Sequence, residues 1–586
     1  VERYVALKVA IYTICLNEEK HVQRWYESAK DADYILIADT GSTDRTVEIA
    51  KSLGINVVNV SVSPWRFDDA RNSALHALPV DVDYCIALDM DEVLLPTWKD
   101  ALLKAHENKV TRPRYKYTWS WKSEGVPDLQ YGGDKIHSRK GYRWRHPVHE
   151  VITPYGIEET QDWVDLEIHH HPDNTKSRGQ YFPLLKMAIQ EDPDDDRNAF
   201  YYARELFFHG MNQEAAQEFR RHLSLPRAGW APERAASHRY MSKCEPERVE
   251  EHLNNAISES ERREPLVELA MHYYEKSDWN NCYEKAIRAL QIKEKPLDYL
   301  CEDFAWGYLP HDLASISAWH LGKKDEAIEH EKKALEFEPN DKRMLENFAF
   351  LLRDRYPEPV TAIIPTKSNI AGTLKLLEKL ETDPQVTEII VIADGDNSHD
   401  RYKDILEGKA NVVLEKVQLG VGIHVMWNIG IDYAIKSGNT AVFINDDTVP
   451  VGSASGTLAS FLEYDKSFGL VCPKYDTRNF KELTVDTTLT AMGRTDGTGG
   501  LAGFFMALHK DLVPQWRFDE KMKWWFGDDD VIQWTLSIGK RVSITNIANC
   551  YGNDSKTTRE DPPKDFAKLV AEDKKIFKEK WPGKGL

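Results

Sequence analysis

At 586 residues, with 41% hydrophobic residues and 17 tryptophans, the chain is long enough for roughly three to four packed domains. Its formal charge of −19 excludes broad nonspecific nucleic-acid binding, which needs a basic surface. Seven scattered cysteines without CxxC or zinc spacing argue against a disulfide framework and for a reducing, cytoplasmic setting; no apolar stretch reaches the ~18 residues of a membrane span, and no signal-peptide pattern is visible.

Residues 1–178 alternate strand and helix signals. Val5–Thr13 predicts a strand, followed by a helix from about Lys20. Tyr34–Asp39 predicts a second strand, ending in the turn Asp39-Thr40-Gly41-Ser42-Thr43-Asp44, and Arg45–Leu53 a second helix. Asn56–Val60 and Tyr84–Asp89 complete a βαβα order, which implies a largely parallel sheet. Residues 179–356 lack strand signals and read as helices. Turns at Gly210, Cys244, Asp278 and Gly322 are spaced by 34, 34 and 44 residues, a degenerate tetratricopeptide period. An irregular helical linker is the alternative. Pro357-Glu358-Pro359 marks a boundary, and residues 357–586 restart the α/β pattern with strands at Val360–Pro365, Ile389–Asp394, Asn411–Leu414 and Ala441–Asn445. The mixed-charge end, Lys564 to Lys584, reads as a solvated helix. The expected architecture is two Rossmann-like α/β domains, 1–178 and 357–586, joined by an all-α tetratricopeptide-like domain, 179–356.

Two acidic motifs about 360 residues apart carry the chemistry. Asp89-Met90-Asp91-Glu92 follows the apolar run Ile86-Ala87-Leu88, and Asn445-Asp446-Asp447-Thr448 follows Val442-Phe443-Ile444. Each lies at the strand edge where open α/β sheets bind ligands. Paired carboxylates there offer hard oxygen ligands to Mg²⁺ or Mn²⁺, leaving the rest of the shell to a diphosphate and water. That suits an enzyme with a nucleotide-activated donor; a nucleotidyltransferase would share the sheet and the metal. Thr13, Asn17 and Glu18 follow the first strand and Asp39 ends the second, where polar groups can read a base and ribose. Asp44 reads as a helix cap, whereas Asp39 shows no such local duty and is the stronger candidate for the base. Arg71, in the run from Trp65 to Asn72, suits bidentate pairing with a diphosphate, with a surface salt bridge as the alternative. Five histidines in 26 residues (146, 149, 169, 170 and 171) offer a further metal ligand, with His169 and His171 as candidates. Glu150 is a candidate general base.

The ordered set Leu16-Asn17-Glu18-Glu19, Asp39 to Asp44, Ala70-Arg71-Asn72, Asp89 to Glu92 and Val148-His149-Glu150 resembles glycosyltransferase family 2 over about residues 6–185. The subgroup resembled includes lipopolysaccharide-core glucosyltransferases and tetratricopeptide-bearing peptide glycosyltransferases. The resemblance implies a GT-A fold, a nucleotide-sugar donor (a UDP-sugar above all), Mg²⁺ or Mn²⁺, and inversion at the anomeric carbon. It also implies that Asp39 contacts the base, that Asp89 and Asp91 serve ribose and metal, and that one histidine of 169–171 is a third metal ligand.

The C-terminal segment resembles the same family, nearer its rhamnosyltransferase-like branch, through Ile364-Pro365-Thr366, Asp394-Gly395, Gly420-Val421-Gly422, Asn428-Ile429-Gly430, Asn445 to Thr448, Gly503 to Met506 and Trp525 to Asp530. By that resemblance Pro365, Thr366, Asp394, Gly420, Asn428 and Asp446 bind donor, Asp447 binds metal, and the Asp528-Asp529 pair supplies the base, with Asp529 the candidate. The sequence departs from the pattern twice. Asn445 replaces the first acid, and Cys550-Tyr551-Gly552-Asn553-Asp554 stands where a late histidine is expected, with Asn553 or Asp554 as a substitute ligand. Glycines 493, 497, 499, 500 and 503 read as a gating loop or a plain turn, and Trp516, Trp524 and Trp525 as acceptor-stacking or core aromatics.

The expected function is a bifunctional, metal-dependent inverting glycosyltransferase acting on a glycan, protein or modified nucleobase. One active domain with a binding or scaffolding copy is the alternative. The helical middle can dock a protein partner or a second subunit.

Overall fold

The computed structural model describes residues 7–123, 125–172, 179–476, 503–552 and 565–582. It divides into two compact units, Val1–Ala314 and Ser315–Leu586.

The first unit opens with a five-stranded sheet in the order Asn56–Asn59, Tyr34–Asp39, Val9–Cys15, Tyr84–Ala87, Ile136–Ser138. The first four strands are parallel, and Ile136–Ser138 adds antiparallel to Tyr84–Ala87. The central strand is apolar on both faces because helices cover both, as a parallel sheet requires. Trp25 is fully buried under one face and donates its indole N–H to the Leu88 carbonyl at 3.0 Å. A second sheet, absent from the sequence reading, has the order Glu92–Leu94, Gln161–His170, Arg112–Thr118, Gln130–Gly133.

Paired helices follow: Asp196–Phe208 with Asn212–Ser224, Ala231–Cys244 with Val249–Glu259, and Arg263–Glu275 with Trp279–Gln291. Among the described residues 179–356 there is no strand. The turns expected at Gly210, Cys244, Asp278 and Gly322 all fall at helix ends, with Gly210 and Gly322 at positive φ. The long last step has a cause: residues 292–308 interrupt the pairing with an extended stretch and a short 3-10 turn, Asp303–Ala305.

The second unit holds an eight-stranded sheet that begins Val412–Val417, Val386–Asp394, Val360–Thr366, Thr440–Ile444, Phe505–Leu508. Its first four strands are parallel and Phe505–Leu508 is antiparallel. In chain order both sheets thus read third, second, first, fourth, then an antiparallel strand. The helix pair Lys324–Phe337 and Lys342–Arg355 belongs to this unit: Arg353 bonds Thr457 at 2.6 Å, Tyr464 bonds Glu329 at 3.0 Å, and Asn546 bonds the Pro339 carbonyl at 3.0 Å. The Lys-rich end forms the helix Phe566–Lys580. No helix among the described residues is long and apolar enough to cross a membrane.

Candidate active site

Within the first unit, the ends of Val9–Cys15 and Tyr84–Ala87 open into a cavity of about 1480 Å³. Asn17, Glu18, Arg71, Asp89, Asp91, Lys135, Glu150 and His170 line it. A tight turn after Tyr84–Ala87 sets the acids: Glu92 N–H donates to the Asp89 carbonyl at 2.9 Å, and Asp89 N–H donates to the Glu92 carboxylate at 2.8 Å.

Asp89 is clamped by two cations. Arg71 Nη2 lies 2.7 Å from its Oδ1, and Lys135 Nζ lies 2.5 Å from its Oδ2. Burial opposes the charge on Asp89, but Arg71 and Lys135 outweigh it and hold the carboxyl well below the usual range. Arg71 is 5% exposed, lies 5.0 Å over the Trp144 ring, and reaches Glu150 Oε1 through Nε at 2.5 Å. It is therefore a buried bridge between two acids rather than a surface salt bridge. Its remaining nitrogen, Nη1, is buried without a hydrogen-bond partner among the described residues. Lys135 was missed by sequence reasoning. Only the antiparallel register of Ile136 with Ile86 brings it to Ala87, whose N–H bonds the Lys135 carbonyl at 3.1 Å.

Asp91 faces His170, with Oδ2 and Nε2 3.4 Å apart. The structure places the candidates His169 and His171 against other partners. His169 Nε2 lies 3.0 Å from Glu167, and His171 stacks over Trp121 at 6.2 Å. Side chains alternate along a strand, so His170 points away from its two neighbours. The pairing of His170 with Glu92 across Gln161–His170 and Glu92–Leu94 places it beside Asp91. His170 Nδ1 bonds the Trp119 carbonyl at 3.0 Å, which leaves Nε2 as the lone-pair nitrogen of the neutral ring.

Two further expectations need correction. Asp39 does have a local duty: its carboxylate accepts from the N–H groups of Gly41 and Ser42 at 3.2 Å, bracing the turn below it. Thr13 is fully buried, bonds the Ile14 carbonyl at 3.0 Å and does not line the cavity. Asn17, at φ 57°, accepts from Thr43 N–H at 2.8 Å and ties the first loop to the second. Asp44, expected as a helix cap, accepts from Thr46 N–H at 2.9 Å but stands one residue before the N-cap, Arg45, of helix Thr46–Ser52.

Asp91 and His170 offer a carboxylate and an imidazole to a divalent cation, although no group of three or more candidate metal ligands occurs among the described residues. Their 3.4 Å separation is near the roughly 3 Å between adjacent donors of an octahedral ion with ligands at about 2.1 Å. The Trp119 carbonyl orients the imidazole as an outer-shell partner does. Asp89 fits less well, since both its oxygens already hold cations.

In the second unit, Thr366 donates to Asp446 Oδ2 at 2.6 Å, and burial pushes the Asp446 carboxyl up to about 6. Pro365 is buried in the strand before it, and Asp447 is 8% exposed beside Asp446. Asp394 ends the second strand and accepts from Gly420 N–H at 2.7 Å, and burial raises its carboxyl too. Gly422, at φ 100°, has no room for a side chain: a Cβ would lie 2.6 Å from the Lys523 carbonyl oxygen. Asn428, expected at the donor, is committed elsewhere; its amide bonds Phe518 N–H at 2.9 Å and the Phe518 carbonyl and Glu520 at 3.0 Å. Trp516 is 4% exposed and belongs to the core. The helix carrying Asp528 and Asp529 is Gly527–Ser537, four residues earlier in its start than Val531. Asp530 is fully buried and binds Lys580 at 2.8 Å and Trp581 at 2.7 Å. Glycines 493, 497, 499 and 500 and residues Asn553 and Asp554 lie outside the described residues.

Residues 10–153 match the family model "Glycosyl transferase family 2". An uncharacterized glycosyltransferase of Rickettsia typhi is 33% identical over 96 residues, 16% of this chain and 32% of that protein. The lipopolysaccharide core biosynthesis glycosyltransferase LpsC of Rhizobium meliloti is 29% identical over 162 residues, 26% of this chain and 58% of that protein. The chain thus spans about a third of the length of the first of these curated relatives. Among solved structures, the mannosyltransferase PcManGT from Pyrobaculum calidifontis in complex with GDP-Man and Mn²⁺ aligns at 17% identity and TM-score 0.26, covering 35% of this chain and 68% of that one. The segment matched to the family model contains Asp39, Arg71, Asp89, Asp91 and Glu150, and it ends before His170.

Proposed function

We propose that the first unit transfers a glycosyl group from a nucleotide sugar to an acceptor nucleophile, with inversion and with Mg²⁺ or Mn²⁺. The observation that carries this reading is the joining of Asp89, Arg71 and Glu150 by direct ion pairs at the mouth of a large cavity, inside the segment matched to glycosyl transferase family 2. In this reading Asp91 and His170 hold the cation, which when bound supplies positive charge to the departing diphosphate. Asn17, Glu18 and the Asp39 turn form the nucleoside end. Arg71 fixes one oxygen of Glu150. The other oxygen accepts the acceptor proton as the acceptor oxygen bonds to the anomeric carbon, and the bond from that carbon to the diphosphate breaks with its electron pair leaving on the nucleotide. Arg71 and Lys135 hold Asp89 in place throughout.

A second reading concerns the C-terminal unit. Its sheet repeats the strand order of the first, and Asp446-Asp447 follow its fourth strand. These support a second GT-A domain over about residues 357–586, with Asp447 at a metal and Asp529 as base, beyond a helical domain of about 179–356. One active domain with a binding copy is the alternative. Seven free cysteines, six of them buried, support a reducing compartment.

The test is hydrolysis of UDP-, GDP- and dTDP-sugars with Mn²⁺ or Mg²⁺ by the full chain, by Asp91→Asn and by Asp447→Asn. Loss of metal-dependent turnover in Asp91→Asn supports the first site, and a further loss in Asp447→Asn supports the second. No turnover of any donor by the wild-type chain overturns the proposal.

A further inference from the structure

The helix Asp196–Phe208 turns one stripe toward the cavity: Arg197, Tyr201, Arg204 and Phe208, spaced by four, three and four residues. That spacing is one face of a helix. Arg197 and Arg204 both flank the Tyr201 ring, with guanidinium carbons 4.9 and 4.6 Å from its centroid. Among the described residues neither makes a hydrogen bond or an ion pair, and Arg197 Nε is buried without a partner. This sets them apart from Arg66, Arg71, Arg112, Arg239 and Arg262 of the same unit, each held by a carboxylate. The acids around the pair are occupied. Asp134 binds Arg112 at 2.8 Å, Asp298 binds Arg262 at 2.7 Å, and Glu233 accepts from Tyr299 at 2.5 Å. Two guanidinium groups therefore face the cavity without a direct ion-pair partner among the described residues, with Asp134 and Glu233 acting on Arg197 only at longer range.

The same wall shows two exposed aromatic rings. Phe208 is 64% exposed and Trp230 is 41% exposed, and both line the cavity. Trp230 lies 5.8 Å from Tyr299, which stacks on Tyr201 at 6.0 Å, so the Trp230 ring and the arginines form one connected surface, while Phe208 lies on the same helix face as the arginines. Exposed aromatic faces suit the C–H faces of pyranose rings, and free guanidinium groups suit carboxylate or phosphate. The Asp91 and Glu150 groups of the proposed reaction line the same cavity from the sheet domain.

We infer that the helical wall is the acceptor subsite of the proposed transferase and takes an anionic saccharide, with Arg197 and Arg204 on its acidic group and Trp230 and Phe208 on its sugar faces. This rests on the transferase reading for the word acceptor, while the binding surface itself does not. A carboxylate or a phosphate offers the arginines the same chemistry.

The test uses the full chain and calorimetric titration with three tetrasaccharides of equal length: one containing glucuronate, one 6-phosphorylated, one neutral. The acidic probes are expected to bind at least tenfold more tightly than the neutral one, and the preferred acidic probe identifies the group. Arg197→Gln with Arg204→Gln should remove that preference while UDP affinity with Mn²⁺ stays within twofold. Arg204→Lys should retain most of it, and circular dichroism confirms that the variants are folded. Equal binding of acidic and neutral probes overturns the inference, as does unchanged binding in the double variant, a loss of UDP affinity in folded variants, or tighter binding of a phosphoserine peptide than of any saccharide. Donor hydrolysis is measured in parallel. Its absence in the wild-type chain strikes at the transferase reading, whereas saccharide binding alone decides the subsite.

Discussion

Arg71 Nη2 lies 2.7 Å from Asp89 Oδ1, and the arginine is almost wholly buried. Removing one member of such a pair leaves the other charge buried and uncompensated, at a cost of about 3–5 kcal/mol. Arg71→Met is expected to destabilise the first unit by about that much and to release both Asp89 and Glu150. Urea unfolding of the full chain, followed with donor hydrolysis, checks it. A stable variant with normal turnover would show that the bridge is dispensable.

His170→Ala should weaken activation by Mn²⁺ by at least tenfold, because it is the histidine that faces Asp91. His169→Ala should leave activation near wild type, since that ring pairs with Glu167. Titrating Mn²⁺ against donor hydrolysis separates the two. The reverse order of effects would reject the assignment.

Glu233 is 4% exposed, and burial pushes its carboxyl up to about 7. The unfolded chain ionises it near pH 4.5, so the folded state is penalised progressively from about pH 4.5 to 7 and fully above that. The penalty is about 3 kcal/mol as an upper figure. Glu233→Gln should therefore stabilise the first unit at pH 8 and have little effect at pH 4. Denaturation at both values tests it. A variant that is equally stable or weaker at pH 8 would mean that the ionised carboxylate is well solvated.

Asp573 is 2% exposed and accepts from the backbone N–H groups of Lys523, Trp524 and Trp525 at 2.9–3.0 Å. This contact fixes the segment that leads into Asp528 and Asp529. Asp573→Ala should cost about 1–2 kcal/mol in the second unit, because three hydrogen bonds to half-buried backbone donors are lost. Protease sensitivity near residue 523 should rise with it, and an unchanged cleavage pattern would argue that the segment holds itself.

Asp529→Asn separates a base from a helix cap. A lost base lowers transfer by about 10²–10⁴, whereas a lost cap costs about 1 kcal/mol of stability and little rate. Near wild-type transfer in a variant of the second unit leaves only the cap.

Much of this protein follows from local pattern. The strands at Tyr34–Asp39 and Val360–Thr366, the helical middle with its turns at Gly210 and Asp278, and the acids after the fourth strand of each sheet are local features of the chain. Continuous apolar runs, small-residue spacing and polar strand ends encode them within a few residues. What the sequence left open depended on partners far along the chain. Asp89 reads as a ligand until Arg71 and Lys135, 18 and 46 residues away, are seen to occupy its oxygens. His170 could be chosen over His169 and His171 only through strand register, because a shift of one residue reverses the face that each side chain occupies. Arg197 and Arg204 look like ordinary helix-surface residues until folding turns their stripe into the cavity and leaves them, among the described residues, without a direct ion pair. Local sequence sets which groups are present, while tertiary packing decides which charges are neutralised and which remain for a ligand.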